Sequence, residues 1–153
     1  DGRAVGSDLI GTDPVPAAPN RDPWFHNRPS ALSENALGPG DPSSSGGSNK
    51  GAFDEDLIAA VAQRKDTIAQ REGVDPALVP PDAVTASASG LDPHISPAYA
   101  LLQVPRVARE NGLSEDRVRR LVNEHTTGRG LGVLGAPAVN VLTLNLAVQG
   151  ARG

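Results

Sequence analysis

The chain has 153 residues, a formal charge of −4 and no cysteine. A disulfide scaffold, thiol catalysis and thiolate metal centres are therefore excluded, and a general binder of nucleic acid or anionic membranes lacks the basic field it needs. The length is that of one domain, and 38% apolar residues with one Trp, one Tyr and two Phe imply a thin core of Val, Leu, Ile and Ala.

Glycine and proline are frequent and uneven, with 15 in residues 1–53 and 16 in the remaining 100. The first third is accordingly expected to be loop-rich. Residues 3–10, RAVGSDLI, are predicted as a short strand weakened by Gly6, followed by a proline-laden loop through Asn20. Residues 21–32, RDPWFHNRPSAL, hold the only Trp, one of two Phe and one of three His, and are expected to tuck rings against the core. Residues 33–53 are turn chemistry throughout, and a loop of that length is usually functional or mobile.

From Asp54 the pattern becomes helical. Asp54 can cap, Glu55 and Asp56 suit the first turn, the apolar residues from Leu57 to Ala69 fall at helical spacing, and Gly73 ends the run. Residues 75–87 are predicted extended, with Pro80 and Pro81 confining any strand to an edge or to the part beyond Asp82. A second helix is expected from Pro97, capped by Ser96, to about Asn111, with Pro105 forcing a kink or break and Gly112 as terminator. Ser114 caps a third, Glu115 to about Thr126, and Gly128 stops it. In the last segment Leu142, Leu144, Leu146 and Val148 alternate with Val141, Thr143, Asn145 and Ala147, which predicts a central strand. The expected class is α+β, one mixed, mostly antiparallel sheet with about three helices packed on it. It forms a single domain over residues 1–150, loop-rich to 53, with a tail at 151–153.

No catalytic constellation stands out: there is no HExxH, GxSxG or GxxxxGK[ST], and no repeated ligand spacing that points to a metal. Asp92 and His94 are two apart in a turn, where Asp92 can orient the imidazole for base work or simply cap the turn. Thr85, Ser87, Ser89 and Gly90, leading toward a helix start at Ser96, are candidates for a nucleotide or anion, as is the Ser43–Asn49 loop. Residues 107–122 match helix-turn-helix spacing. Between 106 and 125, however, five arginines face four acids, and Glu115 and Asp116 fall where a recognition helix would meet phosphates, so the pair reads as structural.

Four blocks resemble, in order, the C subunit (KdpC) of Kdp-type potassium-transporting P-type ATPases. They are VGSDLIG, WFHNRPSA with SSSGGSN, VTASASGLDPHISPAYALLQVPRVA, and LGAPAVNVLTLNLAV, and they cover nearly the whole chain. Departures occur after SGGSN, where KGAFDEDL stands, and at Ser87 to Gly90, where the family's SGSG is SASG. The resemblance implies a non-catalytic accessory subunit that helps the complex assemble and raises the ATP affinity of the ATP-hydrolysing subunit. The implied partners are a potassium-channel-like subunit and that P-type subunit, with no nucleic acid. The chain would then be an outward-facing domain of a cell-membrane protein whose single N-terminal membrane helix is absent here. Trp24, His26, Asp92 and His94 are the expected partner contacts, and ATP is the one cofactor the family suggests. No cofactor is expected to be bound firmly. A direct nucleotide- or anion-binding module is the alternative, and a helix-turn-helix DNA-binding domain ranks behind it.

Overall fold

The computed structural model describes residues 6–16, 18, 21–33, 35–38, 41–128 and 136–152. Helix α1, Glu55–Glu72, starts where Asp54 accepts a hydrogen bond from the Leu57 amide at 3.0 Å and ends at Gly73, whose φ of 69° only glycine adopts cheaply. Its inward face is Arg64, Ile68 and Ala69. Arg64 donates to the carbonyls of Ala36 and Val84, and so ties the early loop to the segment beyond α1.

Residues 75–87 are not extended as expected. Pro76–Leu78 form a 3-10 turn, with the Asp75 carboxylate accepting from the Ala77 amide at 2.7 Å, and Pro81–Val84 form the short helix α2. Of the two prolines that argued against a strand, Pro80 caps α2 in extended conformation and Pro81 takes its first helical position, where a missing N–H costs nothing and the fixed φ is already helical.

Helix α3 spans Pro97–Asn111 and α4 spans Glu115–Glu124, each opened by a serine, Ser96 and Ser114, accepting from an amide three residues on. Pro105 neither breaks nor ends α3. Burial of Gln103 and Val104 before it and of Arg106, Val107 and Ala108 after it holds the helix together despite a cost of about 3 kcal/mol for an interior proline. The α4 stripe of Val118, Leu121 and Val122 packs on α3, and Gly112, at φ 66°, makes the turn between them. Helix α4 stops two residues short of the expected end, because Thr126 enters a strand.

That strand, β2 (Thr126–Thr127), together with β1 (His94–Ile95) and β3 (Ala138–Asn140), forms an antiparallel sheet in the order β1-β3-β2. His94 pairs with Asn140 and Ile95 with Val139, while Thr126 and Thr127 pair with Val139 and Ala138 on the other side. The class is α+β as expected, with a smaller sheet and more helix.

Two expected strands are corrected. Residues 141–148 lie in helix α5, Val141–Gly150, capped by Asn140, whose side chain accepts from the Thr143 amide at 3.1 Å. The buried set Val141, Leu144, Asn145 and Val148 follows i, i+3, i+4, i+7, so the helical period wins over the alternation that the same residues also satisfy. Residues 6–10, the described part of the expected 3–10 strand, form turns, since the Ser7 hydroxyl and carbonyl capture the amides of Leu9 and Ile10. Residues 3–5 lie outside the described residues.

Candidate functional site

The Gly90–Pro97 turn joins α2 to α3 and carries β1. Gly90 has φ 73°, and a Cβ there would lie 2.8 Å from the Ser30 hydroxyl, so the position accepts only glycine without displacement. Asp92 is the hub of the turn. Its Oδ1 accepts from the His94 amide and approaches the His94 Nδ1, each at 3.0 Å, and its Oδ2 accepts from the Arg28 guanidinium. Burial alone would raise the Asp92 pKa. The His94 amide and ring and the Arg28 charge outweigh it and hold the carboxyl below its usual range.

The turn is clamped from several sides. The Ser96 amide donates to Asp82 Oδ2 on α2 at 3.1 Å, the Val141 amide donates to the Pro93 carbonyl, and the Gly11 amide donates to the Leu91 carbonyl at 2.7 Å. A Cβ on Gly11 would come within 2.7 Å of the Asp92 carbonyl oxygen, so the N-terminal segment touches the turn backbone to backbone. Arg28, Asp82, Asp92, His94 and Ser96, with Ala136 to Ala138 opposite, line a pocket of about 240 Å³. The His94 side chain is 42% exposed at its mouth. With Nδ1 committed to Asp92, Nε2 is the face it offers to a visitor.

The two glycine- and serine-rich loops meet. The Gly46 amide donates to the Ser89 carbonyl at 3.0 Å, and Gly47 lies where a Cβ would be 3.1 Å from the Ala88 carbonyl. The serine hydroxyls serve the loop itself. Ser87 accepts from the Gly90 amide and Ser89 from the Leu91 amide, while the Ser87 amide donates to the Pro29 carbonyl. Thr85 donates to the Pro81 carbonyl at the end of α2. The glycines thus permit close loop-to-loop approach, and these hydrogen bonds occupy the hydroxyls of Thr85, Ser87 and Ser89.

Trp24 and His26 are neighbours in sequence but face different surroundings. Trp24 is half-buried, with the Arg152 guanidinium 4.9 Å above its ring. With Thr12, Pro14, Leu142, Leu146 and Gln149 it lines an apolar cleft of about 220 Å³. His26 is buried, and its two ring nitrogens meet Asp13 at 2.9 Å and Asp22 at 2.7 Å. Beneath it Arg106 reaches Glu72, Asp22 and the carbonyls of Asp22 and Trp24. Arg28, Asp82, Asp13 and Arg106 escaped the sequence reading. They lie 13 to 84 residues from the partners described above, and no local spacing marks such partners.

Among the described residues no cluster of three or more His, Cys, Asp or Glu could hold a metal ion, and no helix is long and apolar enough to cross a membrane.

Comparison with known proteins matches the chain to one family. The family model described as KdpC, K+-transporting ATPase, c chain, matches residues 1–150. The potassium-transporting ATPase KdpC subunit of Kineococcus radiotolerans is 52% identical over 151 residues, covering 99% of this chain and 72% of the relative. That of Sorangium cellulosum is 53% identical over 153 residues, covering 99% and 76%, and that of Nitratidesulfovibrio vulgaris 48% identical over 153 residues, covering 100% and 74%. The chain belongs to the KdpC family, the c chain of K+-transporting ATPases.

Proposed function

We propose that the chain is a non-catalytic, accessory subunit of an ATP-driven potassium uptake complex, and that it docks on the potassium-channel-like subunit through the pocket beside Asp92 and His94. The observation that carries this reading is the Arg28–Asp92–His94 cluster. Its groups are fixed by one another and by backbone amides, and they present one half-exposed imidazole edge at a surface pocket. Such a site is pre-organised for recognition. Among the described residues the one hydrogen-bond partner of the His94 ring is Asp92. Trp24 and the cleft beside it form the second contact surface. The domain sits on the outer face of the cell membrane, and its effect on the ATP-hydrolysing subunit is to favour assembly and raise ATP affinity from a distance.

In the reconstituted pump, Asp92→Ala and His94→Ala should lower both the yield of intact complex and potassium flux. Unchanged yield and flux would overturn the site. ATP as a direct ligand of the 43–49 and 85–90 loops is tested by calorimetric titration of the chain, where saturable heat lost on altering Ser89 would favour it.

A further inference from the structure

His26 has an unusual setting for a buried side chain. A neutral imidazole offers one donor nitrogen and one acceptor, yet here both ring nitrogens point at carboxylate oxygens, Asp13 Oδ2 and Asp22 Oδ2. A neutral ring would set a lone pair against a carboxylate in a space that water hardly reaches, whereas an imidazolium donates to both. The surrounding charges agree with the protonated form. Asp13 faces the ring from the N-terminal segment and Asp22 from its own loop, Arg71 and Glu72 reach in from α1, and Arg106 and the Tyr99 hydroxyl from α3. With His26 charged, three cations face three anions.

Asp13 also anchors a strap. Its Oδ1 accepts from the Asn27 amide at 2.9 Å, and the Asn27 side chain donates to the Thr12 carbonyl at 2.9 Å. Thr12 and Pro14, on either side of Asp13, are walls of the apolar cleft whose other walls are Trp24 and α5. We infer that the proton on His26 locks this strap, Thr12–Pro14, against the body, and that losing the proton frees the strap and opens the Trp24 cleft.

Asp13 is the partner that leaves. Asp22 keeps an ion pair with Arg106 at 3.1 Å when the imidazolium is lost, while Asp13 keeps, among the described residues, one hydrogen bond, accepted from the Asn27 amide. Burial pulls the His26 pKa down, but the bonds to Asp13 and Asp22 outweigh burial and raise it above 6.5. A group whose folded pKa is raised stabilises fully below its unfolded value and loses that effect as pH climbs through the folded value. The strap is therefore closed at acid pH and opens as pH climbs through the folded value.

Two readouts on the chain test this, both followed from about pH 6 upward. One is the protonation of the His26 ring by nitrogen NMR. The other is hydrogen exchange of residues 7–16 and of the Asn27 amide, corrected for intrinsic rate. Both ring nitrogens should carry protons at the acid end, and protection of the Asn27 amide should fall in step with their loss, by about tenfold for each pH unit that separates folded and unfolded values. Asp13→Asn should move both transitions to lower pH, and His26→Gln should abolish the pH dependence. A neutral ring at the acid end, or deprotonation with unchanged protection, would overturn the lock. Should His26→Gln fail to fold, Asp13→Asn decides alone.

Discussion

Arg106 and Glu72 join α3 to α1 by a two-pronged ion pair, Nε to Oε2 at 2.9 Å and the guanidinium NH2 to Oε1 at 3.1 Å. The Glu72 side chain has no exposed surface and that of Arg106 is 4% exposed. Glu72 also accepts from Arg71 at 2.7 Å, so one carboxylate balances two guanidinium groups. Glu72→Gln leaves Arg71 buried against a neutral amide and Arg106 with Asp22 as its remaining carboxylate. The expected loss is about 3–5 kcal/mol of unfolding free energy, the range for removing one partner of a buried pair, measured by urea denaturation. A loss below about 1 kcal/mol, the value of an exposed pair, would mean that water reaches the network.

Asp92 gives the fold an acid-side dependence. A carboxyl whose folded pKa is depressed stabilises above its unfolded value, about 3.9, and that contribution is lost as pH falls through the lower folded value. Arg28→Ala withdraws one of the groups that hold it down, so the acid unfolding midpoint should move to higher pH. Asp92→Asn should flatten the acid limb instead. Equal acid limbs in all three proteins would show that the Arg28 contact does not persist in solution.

The sequence was most readable where a cap and a period agree. Asp54 with Gly73, Ser96 with Gly112, and Ser114 each mark a helix end that the structure keeps. It misled where one pattern fits two periods. In LTLNLAV the even positions alternate, yet Val141, Leu144, Asn145 and Val148 also make a helical face, and the tertiary contacts of α5 with α4 and of Asn145 with Phe25 decide. Asn145 completes that docking by accepting from the Phe25 amide at 2.8 Å and donating to the Phe25 carbonyl at 2.9 Å, a backbone-like bond pair that no local spacing announces. Within the candidate site Asp92 and His94 were legible as a pair from their turn, while Arg28, 64 residues away from Asp92, was not.

Two glycines separate backbone cost from steric cost. Gly73 and Gly90 both have positive φ, 69° and 73°, but a Cβ on Gly73 meets nothing within 4 Å, while one on Gly90 meets the Ser30 hydroxyl at 2.8 Å. Gly73→Ala should cost about 1–2 kcal/mol for the left-handed backbone alone. Gly90→Ala should cost more by the displacement of Ser30, roughly another 1–3 kcal/mol for overpacking. Adding Ser30→Ala should recover that second part and leave the first. Thermal unfolding of the three variants reads the difference, and identical losses for the two glycines would show that Ser30 yields freely.

Asn140 holds the C-terminal helix in place from both of its side-chain atoms. The carbonyl oxygen caps α5 through the Thr143 amide, and the amide nitrogen donates to the Asp8 carbonyl at 2.8 Å, binding the N-terminal segment to the start of the helix. Asn140→Asp keeps the cap and adds a charge that the helix N-terminus favours, but it cannot donate to Asp8. Asn140→Ala loses both. Asn140→Ala should therefore lower stability by about 0.5–2 kcal/mol, the cost of an absent cap, and Asn140→Asp by less. Both variants should speed amide exchange in residues 7–11, because both release Asp8, while only Asn140→Ala should speed exchange in the first turn of α5. Were Asn140→Asp to leave residues 7–11 as protected as in the parent chain, the contact with Leu91 through Gly11 would be the bond that holds the segment, and the Asn140 donor would be incidental.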